Sequence, residues 1–217
     1  MCRPDDAQTS GARIRLLLFS DLHADRAAAV ALAGLAGRAD VLVGAGDFTN
    51  GRDTARLPVC LDVLRATGKP AVLVPGNNES ADELAAACRG WAGCRVLHGA
   101  AAEVNGVTFY GVGGGIPVTP FGAWSYDFDE DQAAGLLAAA PAGCVLVVHS
   151  PPKGVVDVSS RGGSIGSNAI RDAVLRVRPR LVVCGHVHGS NGRTGELAGV
   201  PVVNAGPGGV MWELAGA

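Results

Sequence analysis

Four of the five histidines in this 217-residue chain, His23, His149, His186 and His188, stand where a short apolar run stops. Asp21, Asp47 and Asn77 occupy the same kind of position. Imidazole, carboxylate and amide oxygen, with no thiolate among them, suit manganese, iron, zinc, cobalt or nickel better than calcium or magnesium. This is the donor set of a two-metal hydrolytic site, in which paired ions lower the pKa of a shared water and clamp the oxygens of an in-line displacement.

The runs that must position these residues are Ile14 to Phe19, ending at Asp21-Leu22-His23, and Val41-Leu42-Val43, ending at Gly46-Asp47. Ala71 to Val74 ends at Gly76-Asn77, Val145 to Val148 at His149, and Leu181 to Cys184 at Gly185-His186-Val187-His188. Aliphatic and β-branched runs of this length, bounded by Gly, Pro or Asn, read as buried strands. Ligands of open α/β sheets gather beyond the carboxyl ends of the strands, so five strand ends are expected to supply one cluster. Residues two apart on an extended segment point the same way, which lets Asp21 and His23 face one site together.

Between the first runs the pattern is helical. Asp25 to Arg38 reads as a helix capped by Asp25, Thr54 to Ala66 as a second, and Ala81 to Arg89 as a third behind the capping box Ser80-Ala81-Asp82-Glu83. The alternation β-α-β-α-β-α is the signature of parallel strands joined by crossover helices. The middle changes character: Cys94 to Leu97 and, after an Asn105-Gly106 turn, Val107 to Tyr110 read as short strands. Gly111 to Tyr126 is a long loop carrying Phe121, Trp124 and Tyr126; it reads either as a functional rim or as a connector covering a core edge. A helix near 129–139 precedes the run at Val145, Pro151 to Ser164 is a second long loop, and Ser167 caps a helix through Val177. Val200 to Asn204 and Gly209 to Leu214 read as antiparallel closing strands. Two β-rich halves packed face to face under outer helices accommodate all of this.

Size and composition narrow the function. With 48% hydrophobic residues the chain can bury one sizeable core, and residues 13–217 read as a single domain after a polar tail over 1–12. A formal net charge of −2 argues against a general nucleic-acid or polybasic membrane binder. The six cysteines show no paired CxxC spacing, and Cys144 and Cys184 fall in or beside buried strands, where a free thiol behaves as a small hydrophobe. This usage predicts a reduced, cytoplasmic setting, as does an acidic start without the apolar segment of a secretory signal. No stretch approaches the roughly 20 apolar residues of a membrane span.

In their order, Asp21-x-His23, Gly46-Asp47, Gly76-Asn77, His149 and Gly185-His186-x-His188 resemble the calcineurin-like metallophosphoesterases, over about residues 13–206. His149 to Gly154, Gly163 to Ser167 and Val203-Asn204-Ala205-Gly206 are similar to small phosphodiesterase-like members. The resemblance implies a four-layer α-β-β-α sandwich of two mixed sheets flanked by helices. It also implies two transition-metal ions, with manganese favoured: one on Asp21, His23, Asp47 and His188, the other on Asp47, Asn77, His149 and His186, bridged by Asp47. Hydrolysis would then proceed by attack of a hydroxide shared by the ions. One position departs from the family pattern: the third motif commonly reads Gly-Asn-His-Asp/Glu, with the histidine protonating the leaving group, and here it is Gly76-Asn77-Asn78-Glu79. Asn78 can hydrogen-bond a phosphoryl oxygen but cannot act as an acid near neutral pH.

The expectation is therefore a dinuclear phosphoesterase acting on a small phosphodiester or nucleotide-like substrate, with Asn78 and Asp47 as the catalytic residues. The alternatives are a phosphomonoesterase or protein phosphatase, and a metal-binding scaffold of weak activity. His98 fits no ligand position and reads as structural, Asn50 as a turn residue able to orient a ligand. Lys153 and Arg161 are loop cations that either meet a phosphate or are simply solvated.

Overall fold

The computed structural model of the chain describes residues 13–215, so the segment 1–12 read as a tail lies outside the described residues. The apolar runs form strands apolar on both faces, which is what a strand buried from both sides requires. In the first sheet β1 (Ile14–Phe19), β2 (Val41–Ala45), β3 (Ala71–Val74) and β4 (Cys94–Val96) lie side by side and parallel, and β11 (Val210–Leu214) pairs antiparallel with β1. The second sheet has β5 (Ala100–Val104), β6 (Val107–Val112), β7 (Val145–Val148), β8 (Leu181–Cys184), β10 (Val200–Asn204) and β9 (Thr194–Leu197), in that spatial order. Its four central strands are parallel, and the edge strands β5 and β9 are antiparallel to their neighbours.

The period-two geometry of the strands divides their side chains into layers. Leu16 and Leu18, Val43 and Ala45, Val72 and Val74 meet Phe109, Val147, Val183 and Val203 between the two sheets. The opposite face of the first sheet, with Leu17, Phe19, Leu42 and Leu73, packs under helices α1 (Arg26–Leu35), α2 (Leu57–Arg65) and α3 (Ala81–Ala87). Tyr110, Leu146, Val148 and Val182 on the outside of the second sheet pack under α4 (Glu130–Leu137) and α5 (Asn168–Val177). The result is the four-layer α-β-β-α sandwich. Caps stand where the sequence places them: Asp25 accepts from the Ala27 and Ala28 N–H groups, Ser80 and Glu83 close a capping box, and Ser167 accepts from Ile170 N–H.

Three local readings need correction. The sequence gives no sign of β5, because Ala100-Ala101-Ala102 has weak strand preference and pairs at an edge; the Asn105-Gly106 turn, with φ of 50° and 74°, joins it to β6 as a two-residue hairpin. β9 is hidden for a similar reason, since Thr194-Gly195-Glu196-Leu197 holds a glycine and a charge, and its turn is Ala198-Gly199. The closing strands are antiparallel only in part. β11 is antiparallel to β1, but β10 is parallel to β8 and antiparallel only to β9, so the two close different sheets.

Among the described residues no helix is long and apolar enough to cross a membrane.

Candidate metal centre

The carboxyl ends of β1, β2, β3, β7 and β8 meet at one edge of the sandwich, and the turns leaving them carry all seven candidate ligands. Four of the seven, Asp21, His23, Asp47 and His186, belong to a larger group of left-handed residues in which no glycine stands, with φ between 46° and 65° at these positions. A non-glycine residue in that region is uncommon and is held there only by its surroundings. The surroundings include the motif glycines. A Cβ on Gly76 would collide with the backbone and carboxylate of Asp47, and one on Gly46 would come within 2.6 Å of Gly76 and of the His149 ring.

Two groups of donor atoms form around Asp47. On one side His23 Nε2 lies 3.1 Å from His188 Nε2, and Asp21 Oδ1 lies 3.6 Å from the same His188 nitrogen. On the other, Asn77 Oδ1 lies 3.3 Å from His149 Nε2 and 3.1 Å from His186 Nδ1. Asp47 Oδ2 stands between them, 3.8 Å from His23 Nε2 and 3.6 Å from His149 Nε2. Its other oxygen, Oδ1, accepts the Asn78 N–H at 2.9 Å.

Backbone carbonyls set the imidazole tautomers. His23 Nδ1–H faces the Thr49 carbonyl at 3.3 Å and His149 Nδ1–H donates to the Ala45 carbonyl at 2.7 Å, which turns each Nε2 lone pair into the cluster. Burial pushes Asp21 up, but His188, His149 and Ser20 more than offset this and hold it at about 2. Burial and the neighbouring His149 bring His186 down to about 4. Among the described residues no Lys or Arg pairs with Asp21 or Asp47; their ion-pair partners are all histidines. Buried carboxylates with no Lys or Arg beside them are costly without a cation even where backbone N–H groups and a hydroxyl donate to them, and an oxygen-and-imidazole set fits borderline transition ions. Cys184 is adjacent in sequence, yet its Sγ donates to the Val203 carbonyl within the sheet.

Above the cluster opens a cleft of about 350 Å³, lined by His23, Asp47, Asn77, Asn78, His186 and His188 and walled by Phe121, Trp124, Ser159, Ser160 and Ile165. Among the described residues no Lys or Arg lines it. A second compartment of about 750 Å³ adjoins it, sharing Phe121, Ser159, Ser160, Ile165 and His186 and containing Lys153 and Arg161. Both long loops therefore border the cleft, one through Phe121 and Trp124 and the other through Ser159 and Ser160.

The calcineurin-like phosphoesterase family model matches residues 14–190. The chain belongs to the calcineurin-like phosphoesterase family. No curated protein sequence matches it. The family fold is shared with TT1561 of Thermus thermophilus, which is 17% identical with a TM-score of 0.75, the alignment covering 94% of this chain and 99% of that one. A dimetal phosphatase from Danio rerio is 13% identical with a TM-score of 0.58, covering 89% and 88%. A purple acid phosphatase from yellow lupin (Lupinus luteus) seeds is also 13% identical, with a TM-score of 0.56, covering 92% of this chain and 45% of that one.

Several residues that shape this phosphoesterase's cluster had no reading of their own in the sequence. Glu79 is fully buried and accepts from four backbone N–H groups, those of Asp47, Phe48, Thr49 and Gly76, at 2.8–3.3 Å, locking the second and third turns together. Burial and Asp47 push Glu79 up to about 7 against the pull of those donors. Asn204 Nδ2 donates to the Gly185 and Val187 carbonyls, both at 3.1 Å, and holds the His186–His188 turn. Ser125 Oγ accepts from Asn77 Nδ2 at 3.0 Å and donates to Asp127 at 2.7 Å, so the Asn77 amide presents its oxygen, not its nitrogen, to the histidines. The signal for Glu79 was its place as the last residue of the Gly76-Asn77-Asn78-Glu79 motif; Ser125 and Asp127 carry none.

The remaining candidates sort as follows. Asn78 lines the cleft, and its Oδ1 accepts the Gly51 N–H at 2.7 Å, leaving its NH₂ as the group without a protein partner among the described residues. His98 stands apart: its Nδ1 accepts the Gly113 N–H, its ring packs on Tyr126 and Phe128, and burial lowers its pKa. Asn50 is a turn residue at the cleft edge whose carbonyl accepts from Asp53 N–H. Lys153 Nζ donates to the Ser164 carbonyl at 2.6 Å.

Proposed function

We propose that the chain is a dinuclear metal-dependent phosphodiesterase, with one ion held by Asp21, His23, Asp47 and His188 and the other by Asp47, Asn77, His149 and His186. The observation that carries this reading is the place of Asp47 Oδ2 within 4 Å of both His23 and His149, which belong to different donor groups. When bound, two such ions supply an activated water and neutralise the oxygens of an in-line displacement. The chain's own residues hold the geometry: the Thr49 and Ala45 carbonyls keep the His23 and His149 lone pairs aimed inward, and Glu79 fixes the turns bearing Asp47 and Asn77. Asn78 offers an N–H donor to a phosphoryl oxygen. It has no proton to give a leaving alkoxide near neutral pH.

Two features favour a diester over a monoester. Among the described residues no Lys or Arg lines the cleft at the donor cluster to offset the second negative charge of a monoester; Lys153 and Arg161 lie in the adjoining compartment. The site also has two compartments that meet at His186, one for each arm of a diester.

Steady-state kcat/KM of the manganese-loaded protein across aryl diesters of graded leaving-group pKa, and across the matching monoesters, tests the reading. Diesters are expected to exceed monoesters, and the rate to fall steeply as the leaving group becomes more basic. A monoester preference, or rates indifferent to the leaving group, overturns the phosphodiesterase reading; absence of turnover in fully metallated protein favours the scaffold.

A further inference from the structure

The cleft wall contains an aromatic pair that the chemistry at the metals does not use. Phe121 and Trp124 are 51% and 44% exposed, with ring centroids 5.9 Å apart and planes 21° from parallel. Neither belongs to any of the three core layers. Exposed aromatics on a loose loop would mean little, but this loop is clasped. The Asp127 carboxylate accepts from Thr119 N–H at 2.8 Å, Thr119 Oγ1 at 2.5 Å and Ser125 Oγ at 2.7 Å, and Tyr126 N–H donates to the Asn77 carbonyl at 2.9 Å. The two rings are thus presented from a segment whose ends are tied to each other and to a candidate metal ligand.

A second loop supplies the rest of the cleft wall. Ile165, 44% exposed, and the residues Ser159 and Ser160 line the same cleft. Their loop is held by the Asp157 carboxylate, which accepts from Gly154 N–H, Gly166 N–H and Ser164 Oγ, and by Ser190 Oγ donating to the Val158 carbonyl. Aromatic rings, an aliphatic side chain and hydroxyl-bearing residues gathered around one cleft match the faces and polar edge of a heterocycle.

We propose that Phe121, Trp124 and Ile165 form the subsite for the nucleobase of a nucleotide diester whose phosphorus lies at the metal cluster; this rests on the phosphodiesterase reading above. Stacking on an aromatic side chain tolerates any base, so the subsite selects nucleotides as a class.

Two p-nitrophenyl diesters with one leaving group and one charge test it: thymidine 5′-(p-nitrophenyl phosphate), which carries a base, and methyl p-nitrophenyl phosphate, which does not. With manganese-loaded protein, kcat/KM for the thymidine ester is expected to exceed that for the methyl ester by roughly 5- to 150-fold, the range that base stacking on aromatic side chains supplies. The double variant Phe121→Leu/Trp124→Leu, which keeps apolar bulk and removes the rings, should lose most of that ratio. Equal turnover of both esters overturns the subsite and leaves the phosphodiesterase reading intact, as does a ratio unchanged in the double variant. A faster octyl p-nitrophenyl phosphate would assign the wall to an alkyl chain and likewise overturn it. Binding decides independently of turnover. Thymidine 5′-monophosphate should bind more tightly than 2-deoxyribose 5-phosphate and quench tryptophan emission in the parent but not in Trp124→Leu, because Trp91 and Trp212 lie outside the cleft. If neither ester reacts, the phosphodiesterase reading fails, and equal affinity for the two monophosphates would then sink the base subsite as well.

Discussion

The floor and the walls of the cleft are built on opposite principles. The floor is made of strand-end turns whose side chains are mostly buried and whose backbone is held in left-handed geometry by neighbours such as Gly76 and Glu79. The walls are two loops, 113–129 and 151–167, each closed by one carboxylate, Asp127 or Asp157, and each leaving apolar side chains half in water. Strain and burial in the floor restrict where the donor atoms can sit. Exposure in the walls leaves surface for something to cover. The floor should therefore govern metal content and stability, and the walls should govern which ester is taken.

The sharpest way to break this division is at Glu79. Glu79→Gln keeps the shape but replaces one acceptor oxygen with an amide NH₂ that faces backbone donors, so stability should fall by about 1–3 kcal/mol. Chemical denaturation of the parent and the variant measures this directly. A loss under about 1 kcal/mol, in the range of a surface substitution, would mean the floor does not depend on that lock. An intermediate effect is expected where wall meets floor. Ser125→Ala frees the Asn77 amide to rotate and should weaken only the ion on the Asn77 side, by about 10- to 100-fold, as read by calorimetric titration. Equal weakening of both ions, or of neither, would separate the wall from the floor altogether.

The smallest effect belongs to His98, which is in neither region. His98→Ala should leave metal stoichiometry unchanged and lower stability by about 1 kcal/mol at pH 7.5 through loss of the acceptor for Gly113 N–H. Burial lowers the His98 pKa in the folded chain, so its contribution is present above the unfolded value of about 6.5 and is lost as pH falls below it. The gap between parent and variant should narrow from pH 7.5 to 5.5. A gap that widens there would mean that the folded state favours the charged ring.

This contrast also explains what could be read from the chain. The floor was legible because each candidate ligand follows an apolar run and its order along the chain is distinctive; even the glycines of Gly46-Asp47 and Gly76-Asn77 follow from close approach to the next turn. The parallel strands were legible for the same reason, since burial on both faces leaves an unbroken aliphatic signature. Edge strands β5 and β9 were not, because a half-exposed edge tolerates the alanines, glycine and glutamate found there. The clasp of Thr119, Ser125 and Asp127 was hidden for another reason. Its members are ordinary polar loop residues whose meaning comes only from folding back onto Asn77, across 48 residues of sequence in the case of Ser125.

The central claim, that Asp47 joins two ions into one centre, is tested most directly by calorimetric titration of metal-stripped protein with manganese, in the parent and in Asp47→Asn. The account predicts two ions per chain in the parent, with both weakened together in the variant because the shared carboxylate charge is lost. At most one ion per chain in the saturated parent, or an Asp47→Asn variant that binds two ions as the parent does, would contradict it.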